Sequence, residues 1–232
     1  MTLVRLFRNL DDLPDAFRHG AVAIGKFDGV HLGHARIVER LLAAARAVRG
    51  PAVAFTFDPS PARILRPELT PPPLCSAQRK ATLLTELGVD AVVAYPTDED
   101  FLQLDARVFF DRILRGRLDA RAIVEGPDFA FGHNRLGTVE RLRQFCDEAG
   151  ILLEVVDRLE LDGQTVSSSR IAELLLAGEV EQVRAMLVEP YRISGNVIRG
   201  MDRGARLGYP TANLGQVETL LPGGAIYAGR AW

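Results

Sequence analysis

The sequence predicts an α/β fold built on a parallel sheet, and three observations lead there. Short apolar runs of strand length alternate with segments whose apolar residues fall at helical spacing. Gly, Pro or a capping residue bounds these segments, which is the punctuation of strand–helix units rather than of hairpins. The first unit is joined by a glycine-rich loop: the run Ala21–Ile24, the turn Gly25, Lys26, Phe27, Asp28, Gly29, and a helix carrying Ile37, Val38, Leu41, Leu42 and Ala45.

The remaining elements follow in order. Residues 1–20 form a lead-in with a short edge strand at Leu3–Phe7. Ala52–Phe57 is the next strand; it ends at Asp58-Pro59-Ser60-Pro61, where proline cannot continue a ladder. A long loop runs to Pro71-Pro72-Pro73, and structureless loops of that length are functional or mobile. Ser76 caps a helix containing Lys80, Leu83, Leu84 and Leu87, stopped by Gly88. Strand Ala91–Tyr95, helix Ala106–Leu114, strand Ala120–Val124, helix Leu136–Ala149 and strand Ile151–Val156 complete the alternation. Ser167 to Ser169 suit the start of a helix through Leu174, Leu175 and Leu176 to Gly178. After Pro190 the texture changes, and Arg192–Ile198 reads as a strand.

Composition bounds the function. The 232 residues bury one sizeable core, or one large and one small domain. A hydrophobic content of 47% and a mean hydropathy of +0.06 describe a globular chain. A net charge of −2 argues against an extended nucleic-acid surface, so an anion site must be built locally. Cys75 and Cys146 lie far apart in no metal-like spacing, which points to free thiols in a reducing compartment. No apolar run approaches the ~20 residues of a membrane span, and the N-terminus lacks a signal-peptide core. The expectation is a cytoplasmic enzyme with neither nucleic-acid nor membrane partners.

The chemistry concentrates at the first unit. Backbone N–H groups at a helix start preceded by glycines can approach a phosphate, and the helix dipole favours the anion. His31 and His34 add two imidazoles there, with Gly33 between them. Residue types alone leave three uses open: phosphate donors, a metal pair without a nearby Cys, or caps. Phe129 and Phe131, after the fourth long strand, offer flat surface for a ring system or belong to the core, and Asp128 can orient a ligand hydroxyl or amine. Ser167, Ser168, Ser169 and Arg170 form a second anion cradle or a plain capping run.

The ten residues Gly25 to His34 resemble the His-x-Gly-His signature of the nucleotidyltransferase superfamily. In their longer form they resemble the FMN adenylyltransferase module of bacterial bifunctional riboflavin kinase/FAD synthetases. Thr56–Pro61 resembles that family's Thr-Phe-Asp-Pro-His-Pro, with Ser60 where His is common. Gly126–Gly132 resembles its Gly-x-Asp-Phe-x-Phe-Gly, and Val166–Ala172 its Ile-Ser-Ser-Thr-Arg-Ile-Arg, with Ala172 in place of the second Arg. Pro210-Thr211-Ala212-Asn213 resembles the entrance of the riboflavin kinase barrel, with Ala205 departing from the usual Arg-Gly-Arg.

The resemblance implies a Rossmann-like nucleotidyltransferase domain at residues 1–187, followed at 188–232 by an incomplete β-barrel segment of the kinase. It implies FAD synthesis from ATP and FMN, with Mg²⁺ on the phosphates. His31 and His34 take the catalytic role, and Gly25, Lys26, Phe27, Asp28, Gly29, Ser168, Ser169 and Arg170 the ATP phosphates. Ser60, Asp128, Phe129 and Phe131 take FMN. Pro210, Thr211 and Asn213 are the kinase-motif remnant, the last two as metal ligands. Because the sequence stops at Trp232, phosphorylation of riboflavin is not expected of it. Two other functions stay open: another adenylyl- or cytidylyltransferase with the same signature, and a non-catalytic flavin- or nucleotide-binding module.

Overall fold

The computed structural model describes residues 3–200, 208–209 and 211–231. Its centre is a six-stranded, wholly parallel sheet: β1 (Leu6–Phe7), β2 (Ala21–Ile24), β3 (Ala52–Phe57), β4 (Ala91–Tyr95), β5 (Ala122–Glu125) and β6 (Leu152–Val155), in the order β1-β4-β3-β2-β5-β6. From β2 the chain builds outward to β3 and β4 on one side, then returns to lay β5 and β6 on the other. The switch point, where an open parallel sheet binds its ligands, therefore lies between β2 and β5.

The strands are apolar on both faces, but the faces differ in size. Val22, Ile24, Val53, Phe55, Val93 and Ile123 point to one side, where they pack under α5 (Ala106–Phe109, running on in π-helical winding as Phe110–Arg117) and α6 (Val139–Ala149). Ala21, Ala23, Ala52, Ala54 and Ala122 point to the other side, under α1 (Leu32–Val48) and α3 (Ala77–Glu86). Methyl-sized side chains leave room for α1 to lie close to the sheet, over β2 and β5. Ser76 caps α3 by accepting from Arg79 N–H (3.2 Å), and Thr138 caps α6 by accepting from Arg141 N–H (3.4 Å).

A third cluster gathers α7 (Ser168–Leu176) and α8 (Val180–Met186) around Leu74, Val166, Ile171, Leu175 and Val183. The chain leaving α8 touches the glycine loop, with Val188 N–H donating to the Val30 carbonyl (3.4 Å). Further on, β9 (Asn196–Ile198) pairs antiparallel with β10 (Asn213–Gly215), and Leu220 N–H reaches the Pro73 carbonyl at 2.9 Å.

Several boundaries differ from the sequence expectation. The edge strand is two residues long, and the strand expected over Arg192–Ile198 is paired only over Asn196–Ile198. The helix expected from Leu136 begins at Val139, because Asn134 and Arg135 take left-handed backbone and end a 3₁₀ turn there. The loop after β3 contains α2 (Pro61–Leu65), with proline at its first turn where its missing N–H costs nothing. Helix α4 (Glu99–Leu102), the hairpin of β7 (Glu160–Leu161) and β8 (Gln164–Thr165), and helix α8 were not expected.

Candidate active site

The glycine loop leaves β2 through a strained turn. Phe27 (φ 46°) and Val30 (φ 44°) hold left-handed backbone that bulky and β-branched side chains rarely adopt. Both side chains are fully buried, so core packing holds the conformation in place. Gly29 (φ 77°) completes the turn, where a Cβ would meet Leu74 Cδ1 at 2.9 Å. Asp28 fastens the loop to its surroundings. Its Oδ1 accepts from Leu74 N–H (2.9 Å) and Cys75 N–H (3.3 Å), and its carbonyl accepts from Ser168 Oγ (2.9 Å). Burial pushes the Asp28 carboxyl above its ordinary range.

The loop delivers His31 to the N-cap of α1, and His34 follows at N3. The two cap each other. His34 N–H donates to His31 Nδ1 and His31 N–H donates to His34 Nδ1, both at 3.3 Å. Their rings stack with centroids 3.6 Å apart and 17° between planes, and Phe27 meets the His34 ring edge-on at 5.2 Å. A ring nitrogen that accepts a backbone N–H carries no proton, so each neutral ring holds its proton on Nε2. Burial pushes His31 down to about 4. Burial, the neighbouring His31 and Lys80 hold His34 well below the usual range. The site therefore presents two neutral imidazoles as Nε2–H donors. Gly33 makes this possible, since a Cβ there would meet His31 Cε1 and Nδ1 at 3.1 Å.

A cleft of about 200 Å³ opens at the switch point, lined by His31, His34, Glu125, Asp128 and Phe129 among others. Phe129 stacks on Phe131 (5.3 Å, 16°). Phe131 is buried and packs against Phe109, so it supports Phe129 from the core and does not line the cleft. Asp128 is held on the rim by a bidentate pair with Arg158, whose Nε donates at 2.6 Å and whose second nitrogen also donates. The guanidinium holds the Asp128 carboxyl below its usual range.

The other sequence-predicted residues take these places. Lys26 is exposed, and its carbonyl accepts from Thr56 Oγ1 (3.0 Å). Ser168 opens α7 with its hydroxyl committed to the Asp28 carbonyl, and Ser169 beside it is exposed. Arg170 Nε donates to Gln164 (3.2 Å) and its guanidinium pairs with Glu173 (3.4 Å); it does not line the cleft, nor does Ser60, at the N-cap of α2. Thr211 and Asn213 are exposed, Asn213 opening β10, and Pro210 lies outside the described residues.

Sequence reasoning missed three residues. Glu125 is a buried carboxyl in the cleft. Lys80 is a buried ammonium donating to Thr56 Oγ1 (3.2 Å) beneath the loop, and Arg158 neutralises Asp128 across thirty residues of sequence. The one signal in the sequence was Glu125 itself, a lone carboxylate closing an apolar strand. Among the described residues no cluster of three or more His, Cys, Asp and Glu could hold a metal ion, and no helix is long and apolar enough to cross a membrane.

Comparison with known proteins bears on this geometry directly. A family model described as FAD synthetase matches residues 14–170, which span strands β2 to β6 of the sheet, the histidine pair and the start of α7. The chain belongs to the FAD synthetase family. A riboflavin kinase model matches residues 187–232 of the same chain. Bifunctional riboflavin kinase/FMN adenylyltransferases are similar over 97% of this FAD synthetase chain and 72% of their own length. The enzyme of Pseudomonas fluorescens is 34% identical and that of Escherichia coli K12 30%. A crystal structure from Streptococcus pneumoniae, described as a macrolide-efflux protein, matches with a TM-score of 0.82 and 28% identity, over 95% of this chain and 72% of that one.

Proposed function

We propose that this chain transfers AMP from ATP to FMN in the cleft between β2 and β5, giving FAD and pyrophosphate. An FMN phosphate oxygen attacks the α-phosphorus of ATP in line. The new P–O bond forms as the bond from the α-phosphorus to the α–β bridging oxygen breaks, and pyrophosphate departs with that oxygen. No covalent enzyme intermediate is needed, so the protein's work is positioning and stabilisation of charge.

The observation that carries this reading is the reciprocal capping of His31 and His34. It fixes both rings and spends both Nδ1 atoms on backbone, which leaves two preorganised Nε2–H donors for triphosphate oxygens. Their neutrality suits this geometry, since protonation of Nδ1 would remove the acceptor that the other histidine's backbone N–H uses. Lys26 and the α7 start, with Ser169 and Arg170, take the β- and γ-phosphates. Phe129 offers its ring face to the flavin. Arg158 turns the rim at Asp128 from anionic to donor-bearing, which favours approach of a phosphorylated acceptor. Mg²⁺ enters as part of the Mg-ATP substrate. Asp28 has its Oδ1 engaged by two backbone N–H groups, which fits contact through the ion's waters rather than direct ligation.

The test is incubation of the protein with FMN and Mg-ATP, following FAD and pyrophosphate together. Equimolar formation of both is expected. Turnover of another phosphate acceptor or of CTP, with FMN and ATP left intact, would overturn the substrate assignment.

A further inference from the structure

Glu125 sits where the sheet parts. On one side β2 stays paired with β3 past its last residue, with Gly25 N–H donating to the Phe55 carbonyl (3.0 Å). On the other side the β2–β5 pairing ends at Val22 and Ile123. Ile24 N–H faces that side with no β5 carbonyl to meet, and it donates instead to Glu125 Oε1 at 2.5 Å. The Glu125 backbone meanwhile keeps its place against β6, through Val156 N–H (2.8 Å). One side chain thus replaces the rung that would have closed the switch point.

That side chain is 3% exposed and has no ion-pair partner among the described residues. The groups that share its cleft are the neutral His31 and His34 from α1, Asp128 from its own loop, and Asp157 and Arg158 after β6; Arg158 is committed to Asp128. No cation compensates a charge on Glu125, and an ionised carboxylate here would confront a polyphosphate beneath the histidines.

We propose that Glu125 is a positioning residue that works as an uncharged carboxylic acid, holding β2 and β5 apart at Ile24 while presenting no negative charge to the nucleotide. Burial pushes its carboxyl well above the ordinary range, in the direction this role requires. The proposal rests on the adenylyl-transfer reading for its ligand, but the protonation of Glu125 belongs to the free protein.

Two variants and two readouts test it. Glu125→Leu fills the space and orphans Ile24 N–H; it is expected to lose roughly tenfold or more in kcat/KM for ATP, the worth of one unanswered buried donor. Glu125→Gln keeps the acceptor without the ability to ionise. It is expected to recover most of that loss and to lack the fall in kcat/KM that is predicted for the native protein once rising pH ionises Glu125. Infrared spectroscopy of the substrate-free protein at pH 7 should show a protonated-carboxyl band that Glu125→Gln lacks. The proposal falls if Glu125→Gln is as impaired as Glu125→Leu, because a carboxylate was then required, or if no such band exists. A native protein that makes no FAD yet shows the band would refute the function and leave Glu125 as assigned. Should Glu125→Leu fail to fold, the band and the Gln pH profile still decide.

Discussion

Replacing His34 with alanine should separate what the histidine pair does for folding from what it does for the reaction. Three things disappear together: an Nε2–H donor, the Nδ1 that accepts from His31 N–H at 3.3 Å, and a ring stacked at 3.6 Å on His31. Losing the first is worth on the order of 10²–10³ in kcat, the usual effect of deleting one preorganised donor to developing charge. Losing the second removes half of a capping box, about 1 kcal/mol, or roughly 2–4 °C in Tm for a chain of this size. His34→Gln divides the two effects. Gln is a favoured residue at N3 of a capping box because its side-chain oxygen reaches back to the N-cap N–H. It should restore the melting temperature but not the rate, since its amide cannot occupy the ring's position. FAD formation with Mg-ATP and FMN, measured beside a thermal melt for each variant, gives both numbers. Near-normal turnover by His34→Ala, or full recovery of rate by His34→Gln, would refute the donor role and reduce the pair to a helix cap.

Further outcomes follow from the same geometry. Gly33→Ala should leave stability almost unchanged, because alanine's helix propensity offsets crowding. Its methyl nevertheless lands 3.1 Å from the His31 ring, and a small displacement should cost on the order of tenfold in kcat; an unaltered kcat would show that the ring's position does not matter. Arg170→Ala should raise the KM for ATP by about 10–100-fold and spare FMN affinity, with only partial rescue by Lys, which lacks the planar fork; a loss of FMN binding alone would reassign the residue. Burial pushes His31 to about 4, so between pH 6.5 and 4 the unfolded chain binds a proton that the folded chain refuses. Stability should therefore rise with pH across that window, by on the order of 3 kcal/mol for His31, with His34 acting in the same direction. Urea midpoints for the native protein and for a His31→Gln/His34→Gln pair should diverge as pH falls, and parallel curves would count against neutral burial.

The sequence exposed what is local and hid what is distant. Strands β2 to β5 were legible because each is a continuous apolar run, and α1 and α3 because a cap or glycine loop precedes a helical period. The His31–His34 portion of the site was half legible. The imidazoles could be read as phosphate donors or as caps, and the structure makes them caps through Nδ1 while leaving Nε2 available. Helix α8 was missed because seven residues hold too few turns to establish a period. Ser168 could be read as a phosphate ligand, but its hydroxyl meets Asp28, 140 residues away, a pairing that no local pattern encodes. Glu125 fell just past the expected strand Ala120–Val124 and was given no role, because its partner, Ile24, becomes a neighbour only when β5 crosses to the far side of β2.

The unequal faces of the sheet also set where this protein can drift. Beneath α1 the contact is made by Ala21, Ala23, Ala52, Ala54 and Ala122, and a larger residue at any of them must lift the helix that carries both histidines. Overpacking of this kind costs typically 1–3 kcal/mol, and here it would also displace the donors. Across the sheet, Phe55, Val93, Ile123 and their neighbours can exchange volume among themselves without moving α1. Descendants of this sequence should therefore vary freely in the aliphatic and aromatic layer and stay frozen in the alanine layer. Selection for a different acceptor is left to act on the loops after β5 and β6, whose side chains form the rim of the cleft.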